Sequence, residues 1–224
     1  MPDNRKVKIY SAFSRPQIAL RLELESLQLE QAICFPKVVL SDNFFLVEEW
    51  VDGTPLNELP DEKAMEYVPL VEAFLKHVQS EPLLVALAEK YTGAFCYLND
   101  YLISRLNIWA QWNPVKELIE EWQRSENAVV DLLPNFLSHP DLSLSNLILE
   151  HSTEKLYVID NELLGVGQSW VIDGKNSFCK GIFKSDSLDT ASQRFANLSW
   201  KLRLVGSALD AGDFNRAERL ARFK

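Results

Sequence analysis

Between residues 139 and 160 the chain places a histidine, two aspartates and an asparagine in a pattern able to support phosphoryl chemistry: His139, Asp141, Asn146 and Asp160. The stretch reads HPDLSLSN, with its last residue opening NLILE, then the polar HSTEK and finally LYVID. Two apolar pieces around a polar tip predict a β-hairpin. With symmetry about Thr153, Leu147 faces Ile159, Ile148 faces Val158 and Leu149 faces Tyr157. The same register sets Asn146 opposite Asp160, with Cα atoms roughly 4.5–5.5 Å apart. An amide oxygen and a carboxylate converging there suit magnesium, a hard cation that takes one or two protein ligands and leaves its other positions to water and phosphate. Asp141, five residues before Asn146, can reach the same space and accept the proton of an attacking hydroxyl. One Asp or Asn before a strand is often a turn residue bonding its own backbone. The combined set, which includes Leu142, is harder to assign to turn chemistry alone.

The elements that must position these groups can be read from periodicity. KVKIY predicts a strand in which Val7 and Ile9 alternate with Lys6, Lys8 and Tyr10. Ser14 and Pro16 then open a helix whose apolar face is Ile18, Leu20, Leu22, Leu24, Leu27 and Leu29, with Pro36 ending the pattern. KVVLSDNFFLVEEWV predicts two strands around Ser41-Asp42-Asn43, and Asp52-Gly53-Thr54-Pro55 a turn and lobe boundary. Helical spacing follows over 61–80, 82 to about 110 and 114 to about 132, and again from about 187 with a break at Ala211-Gly212-Asp213. There is no internal repeat and no low-complexity segment.

Composition narrows the class. With 224 residues, 47% of them hydrophobic, the chain can bury a sizeable core. A net charge of −9 argues against a nucleic-acid partner, which needs a basic face. Cys34, Cys96 and Cys179 lack metal-site spacing and read as reduced thiols. No apolar run approaches the roughly 18 residues of a membrane helix and no signal peptide is evident, so a soluble cytoplasmic protein without a membrane partner is expected.

HPDLSLSN and VIDNE together resemble the protein-kinase-like superfamily, whose catalytic loop follows H-x-D-L-x-x-x-N and whose metal-binding Asp ends the next hairpin. The I-D-x-E form is similar to that of aminoglycoside phosphotransferases and choline-kinase-like enzymes. The resemblance implies an α+β, two-lobed kinase-like fold: a reduced N-terminal β-lobe with one helix over 1–52, and a mainly helical lobe over 53–224 that carries the catalytic hairpin. It implies an ATP- and Mg-dependent phosphotransferase with Asp141 as catalytic base, Asn146 and Asp160 as metal ligands, and His139 and Asp173 as structural supports. Lys8 would contact the phosphates, paired with a helix glutamate. Glu23 and Glu25 both fit the E-x-x-x-L pattern for that role, with Glu23 favoured by its neighbours Leu20 and Leu27. LVEEWVDGTPL resembles the interlobe hinge, so backbone groups of Glu48, Glu49 and Trp50 would receive the adenine. The acceptor would be a small hydroxylated or amino-bearing molecule.

Two features depart from that pattern. The first glycine is Gly53, so the glycine-rich strand pair that covers the ATP phosphates has no counterpart ahead of Lys8. Pro140 stands where small-molecule kinases commonly have glycine. The missing cover leaves slow catalysis, a protein partner that completes the lobe, a shortened form of a longer kinase, or a degenerate kinase acting as a regulatory or assembly module. A docking role would use the bare strand edge.

Overall fold

The computed structural model describes residues 6–27, 33–129, 136–167 and 190–222. Asp173 and Cys179 lie outside the described residues. The chain is mixed α+β and divides into two compact units, Met1–Phe95 with Asn135–Val166 and Cys96–Pro134 with Gly167–Lys224. The expected 1–52 lobe falls wholly within the first unit.

In the first unit, β1 (Val7–Ser11), β3 (Val38–Ser41) and β4 (Phe45–Glu49) form an antiparallel sheet in the order β1-β4-β3. The predicted alternation in β1 is present, but the buried phase is the polar one. Tyr10 is buried and Lys8 half-buried, while Val7 and Ile9 are exposed. Helix α1 (Arg15–Ser26) begins where Ser14 caps it, its side chain accepting from the Gln17 N–H at 3.1 Å. Ile18 of α1 packs with Tyr10 and Leu46 on the inner side of the sheet.

A second sheet runs β2-β8-β7-β5, comprising β2 (Ile33–Cys34), β8 (Leu156–Val158), β7 (Leu147–Glu150) and β5 (Gly53–Pro55). The stretch expected to be a boundary turn is therefore a strand, with Gly53 paired to Glu150. A Cβ at Gly53 would lie 2.3 Å from the Leu149 carbonyl oxygen, so this glycine is required by close strand packing. β6 (Phe136–Ser138) pairs with β9 (Gly165–Gly167).

The hairpin β7–β8 forms, but one residue out of the expected register: Leu147 pairs with Val158, Ile148 with Tyr157 and Leu149 with Leu156. The tip explains the shift. Glu154 adopts a left-handed φ of 57°, and its N–H bonds to the Glu150 carbonyl at 3.1 Å, closing the loop over His151 to Glu154. An even-numbered loop cannot be centred on one residue. Asn146 consequently meets Ile159, whose N–H donates to the Asn146 carbonyl at 2.9 Å.

The predicted 61–80 helix is broken at Tyr67 into α2 (Asp61–Glu66) and α3 (Val68–Ser80), because Pro69 cannot continue the hydrogen-bond ladder. Helix α4 (Pro82–Lys90) completes the unit's helical side. The second unit contains a π-type turn over Tyr97–Ile103, then α5 (Ser104–Asn107), α6 (Asn113–Glu126), α7 (Thr190–Asp210) and α8 (Phe214–Arg222). Trp122 of α6 stacks on Phe195 of α7 and donates its indole N–H to Ser199 at 2.7 Å. The expected break before α8 is present, with Gly212 at a φ of 71°. Cys34 and Cys96 are free thiols. Among the described residues, no helix is long and apolar enough to cross a membrane.

Candidate active site

The loop entering β7 is held by its own polar groups. His139 donates through Nε2 to the Ile159 carbonyl at 3.0 Å, while its buried Nδ1 has no partner. A lone pair there is cheaper to bury than an N–H, which fixes the neutral Nε2–H tautomer. Burial holds the His139 pKa below its ordinary value, against the opposing pull of its bond to Ile159 and the nearby Asp141 charge. The Leu142 N–H closes a turn onto the His139 carbonyl at 3.1 Å, and Leu142 itself is buried. Asn146 donates Nδ2 to the Asp141 carbonyl at 2.8 Å, which turns its Oδ1 away from that bond. The turn thus ties Asp141, Asn146 and the end of β8 together without a cross-strand Asn146–Asp160 pair.

Asp160 reaches this space by another route. It occupies the left-handed region at φ 62° and ψ 46°, a conformation that costs a non-glycine residue roughly 1–3 kcal/mol but that Asp tolerates better than most. Its carboxylate accepts a bond from the Lys8 ammonium, and Glu162 accepts another at 3.2 Å. Burial by itself lowers the Lys8 pKa, but its bond to Asp160 and the Glu162 charge outweigh that and raise it above the ordinary value. Lys8 is therefore a fixed cation facing two carboxylates. All three remain partly open to solvent.

The helix partner expected for Lys8 is not found at either glutamate. Glu23 bonds Lys90 at 2.6 Å and the Tyr91 hydroxyl at 2.7 Å, and Glu25 accepts the Val38 N–H at 2.9 Å. Helical geometry supplies the reason. Gln17 and Arg21, four apart, share the buried stripe of α1, and Glu23 lies about 200° around the helix from Arg21. Lys8 takes its carboxylates from the turn after β8.

Glu48, expected to act through its backbone in a hinge, has a fully buried side chain. Its carboxylate accepts from Arg21 Nε at 2.8 Å, the Tyr10 hydroxyl at 3.0 Å and Asn161 Nδ2 at 3.1 Å. Burial first, and then the Glu48 charge, push the Tyr10 pKa upward. Arg21 is as buried as its partner, bonds the Pro36 carbonyl and lies 5.5 Å over the Phe35 ring. The Glu49 N–H donates to the Lys37 carbonyl at 2.9 Å and the Trp50 N–H to the Lys6 carbonyl at 3.3 Å. Those two amides are already engaged.

The donor set fits a magnesium ion. Asn146 Oδ1 and the Asp160 carboxylate are hard oxygen donors of the kind that could hold such an ion, and the adjoining Glu162 adds negative charge. Among the described residues no trio of His, Cys, Asp or Glu forms a ready metal cage. Magnesium does not require one when phosphate and water supply the remaining positions.

No protein-family model and no curated protein matches the sequence. Solved structures do match. The GDP complex of wild-type aminoglycoside 2'-phosphotransferase-IIIa aligns with a TM-score of 0.58 at 15% identity, covering 92% of this chain and 79% of that one. The gentamicin complex of APH(2")-IIa aligns at 0.54 with 18% identity, covering 94% and 80%. A ternary complex of APH(4)-Ia with AMP-PNP and hygromycin B aligns at 0.52 with 12% identity, covering 99% and 89%. The fold is that of the aminoglycoside phosphotransferases. Within this kinase-like fold, the residues that sequence reasoning passed over are Glu162, Arg21, Asn161 and the Glu48 side chain. Glu162 had a signal, the acidic last position of I-D-x-E. The others carry no local signal, because the buried Arg21–Glu48 pair is completed by Asn161, far away in the chain.

Proposed function

We propose that this protein is a magnesium-dependent phosphotransferase that moves the γ-phosphoryl group of ATP to an alcohol group of a small hydroxylated or amino-bearing molecule. The observation that carries this reading is the bonded chain Asp141–Asn146–Ile159 leading to Asp160, with Lys8 facing that carboxylate. Asn146 and Asp160 would hold magnesium, which neutralises charge on the phosphate oxygens when bound. Lys8 exchanges its carboxylate partners for phosphate oxygens, a trade between charge-assisted bonds of similar kind. Asp141 orients the acceptor and takes its proton. His139 keeps the loop in shape through its bond to the Ile159 carbonyl, and Asp173 is given the bracing role that the resemblance implies. The hinge role of Glu48 to Trp50 rests on the resemblance, and the Glu49 and Trp50 amides would have to leave their present partners to receive a purine. The neighbouring folds bind GDP and AMP-PNP in their own complexes, which supports a purine nucleotide here.

The reading is tested by calorimetric titration of ATP and GTP, with and without magnesium, into the wild type and Asp160→Ala, followed by an acceptor panel. Magnesium-dependent binding that disappears in Asp160→Ala is expected. Asp141→Asn should retain binding and the folded-state melting temperature while losing about 10²- to 10⁴-fold in turnover. Undiminished turnover in that variant removes Asp141 from its role. Tight Mg-nucleotide binding with no transfer to any acceptor would favour a degenerate kinase that serves as a binding module.

A further inference from the structure

The left-handed backbone at Asp160 needs something to hold it, and the flanking residues show what does. On one side, the Ile159 N–H donates to Asn146 and its carbonyl accepts from His139. These contacts belong to the loop and hairpin already described. On the other side stands Asn161, almost completely buried, whose Nδ2 contacts both Glu48 oxygens at 3.1 and 3.3 Å and the Val158 carbonyl at 3.2 Å. Glu48 in turn is fixed by Arg21, which is locked against Pro36 and Phe35. A buried carboxylate with a charged partner and two further donors has little freedom to move. Asn161 bonded to it cannot rotate, and the peptide between Asn161 and Asp160 is pinned at both ends.

We infer that the buried Arg21–Glu48–Asn161 chain is a positioning device that holds the Asp160 carboxylate toward Lys8, replacing the helix-to-lysine ion pair as the link from α1 to the site. The functional part of this inference rests on the reading of Asp160 as a magnesium ligand. The three are positioning residues, since none of them bonds Lys8 or the Asp160 carboxylate. Their arrangement explains why a strand facing the site carries a buried glutamate and why the residue after Asp160 is an asparagine. A shorter or apolar side chain at 161 could not reach Glu48. Two partners would remain on the Glu48 carboxylate, so its charge would stay compensated while its hold on Asp160 was lost.

The test compares Asn161→Ala with Tyr10→Phe. Each removes one uncharged donor group from Glu48, but only the first cuts the link to Asp160. Crystal structures without nucleotide should show Asp160 leaving the left-handed region in Asn161→Ala and keeping it in Tyr10→Phe. In titrations, the magnesium concentration that half-saturates the ATP complex should rise about 10- to 100-fold in Asn161→Ala, with metal-free ATP affinity unchanged. Tyr10→Phe should match the wild type in both. Asn161→Ser, polar but too short to reach Glu48, carries the same expectation should the alanine variant fail to fold. Asp160 holding its conformation in the Asn161 variants, or an unchanged magnesium requirement, overturns the inference. If the wild type binds no Mg-nucleotide, the phosphotransfer reading fails, and the crystal structures alone decide whether Asn161 positions Asp160.

Discussion

His139 shows how a single buried side chain ties the candidate site to solution conditions. Its imidazole is neutral because burial disfavours the cation and its Nδ1 has no acceptor for a second proton. Between its depressed folded-state pKa and the ordinary value of 6.5, the unfolded chain binds more protons than the folded one. Stability therefore rises with pH across that window. The His139 contribution is fully present above about pH 6.5 and is lost as pH falls toward the folded-state value. Melting temperatures measured from pH 5 to pH 8 should decline on the acidic side in the wild type. In His139→Gln, which can still donate to the Ile159 carbonyl but does not titrate, that decline should be shallower. Parallel profiles for the two proteins would mean that other groups set the acid limb.

At the level of elements, α1 and β4 are joined by the Arg21–Glu48 pair, whose side chains are 3% and 1% exposed. Such a pair is weak evidence of net stabilisation, because desolvating both charges offsets their attraction, but removing one partner strands the other. Arg21→Met should cost about 3–5 kcal/mol in denaturant unfolding, and Glu48→Leu added to it should recover part of the loss. A single-variant loss below about 1 kcal/mol, the scale of exposed pairs, would show that water reaches the carboxylate. This junction also marks where the sequence stops being legible. His139, Asp141, Asn146 and Asp160 could be read together because the loop and hairpin that bring them close are local in the chain. The cap at Ser14 and the strands either side of Asp42 were readable for the same reason. Periodicity also places Gln17 and Arg21 on one face, but nothing local says that the face is buried, since the partner of the Arg21–Glu48 pair is Asn161, 113 residues beyond Glu48. The hairpin register was missed because one left-handed residue, Glu154, sets the loop length at the tip. A one-residue slip reverses every side chain on a strand.

The same long-range pairings bear on the molecule as a whole. Resemblance marks residues 1–52 as a lobe, and they do include a sheet, a helix and several buried residues, among them Leu20, Ile33 and Leu46. Many of the groups that complete this stretch come from elsewhere. Ile33 and Cys34 pair with Leu156 and Tyr157, Gln17 donates to the carbonyls of Glu162 and Leu164, and Glu48 and Lys8 take Asn161 and Asp160. A fragment ending at residue 52 would expose the buried Arg21–Glu48 pair on one side and lose the strand beside β2. Chains not far above about 40 residues have little core surface to absorb such losses. The expected result is a 1–52 fragment whose amide NMR spectrum is collapsed, beside a dispersed spectrum for the full chain. A dispersed fragment spectrum with the Tyr10 hydroxyl still protected would show that Arg21 and Tyr10 suffice to hold Glu48. In that case the contacts to Asp160 and Asn161 would serve the site and not the folding of the stretch that carries Lys8.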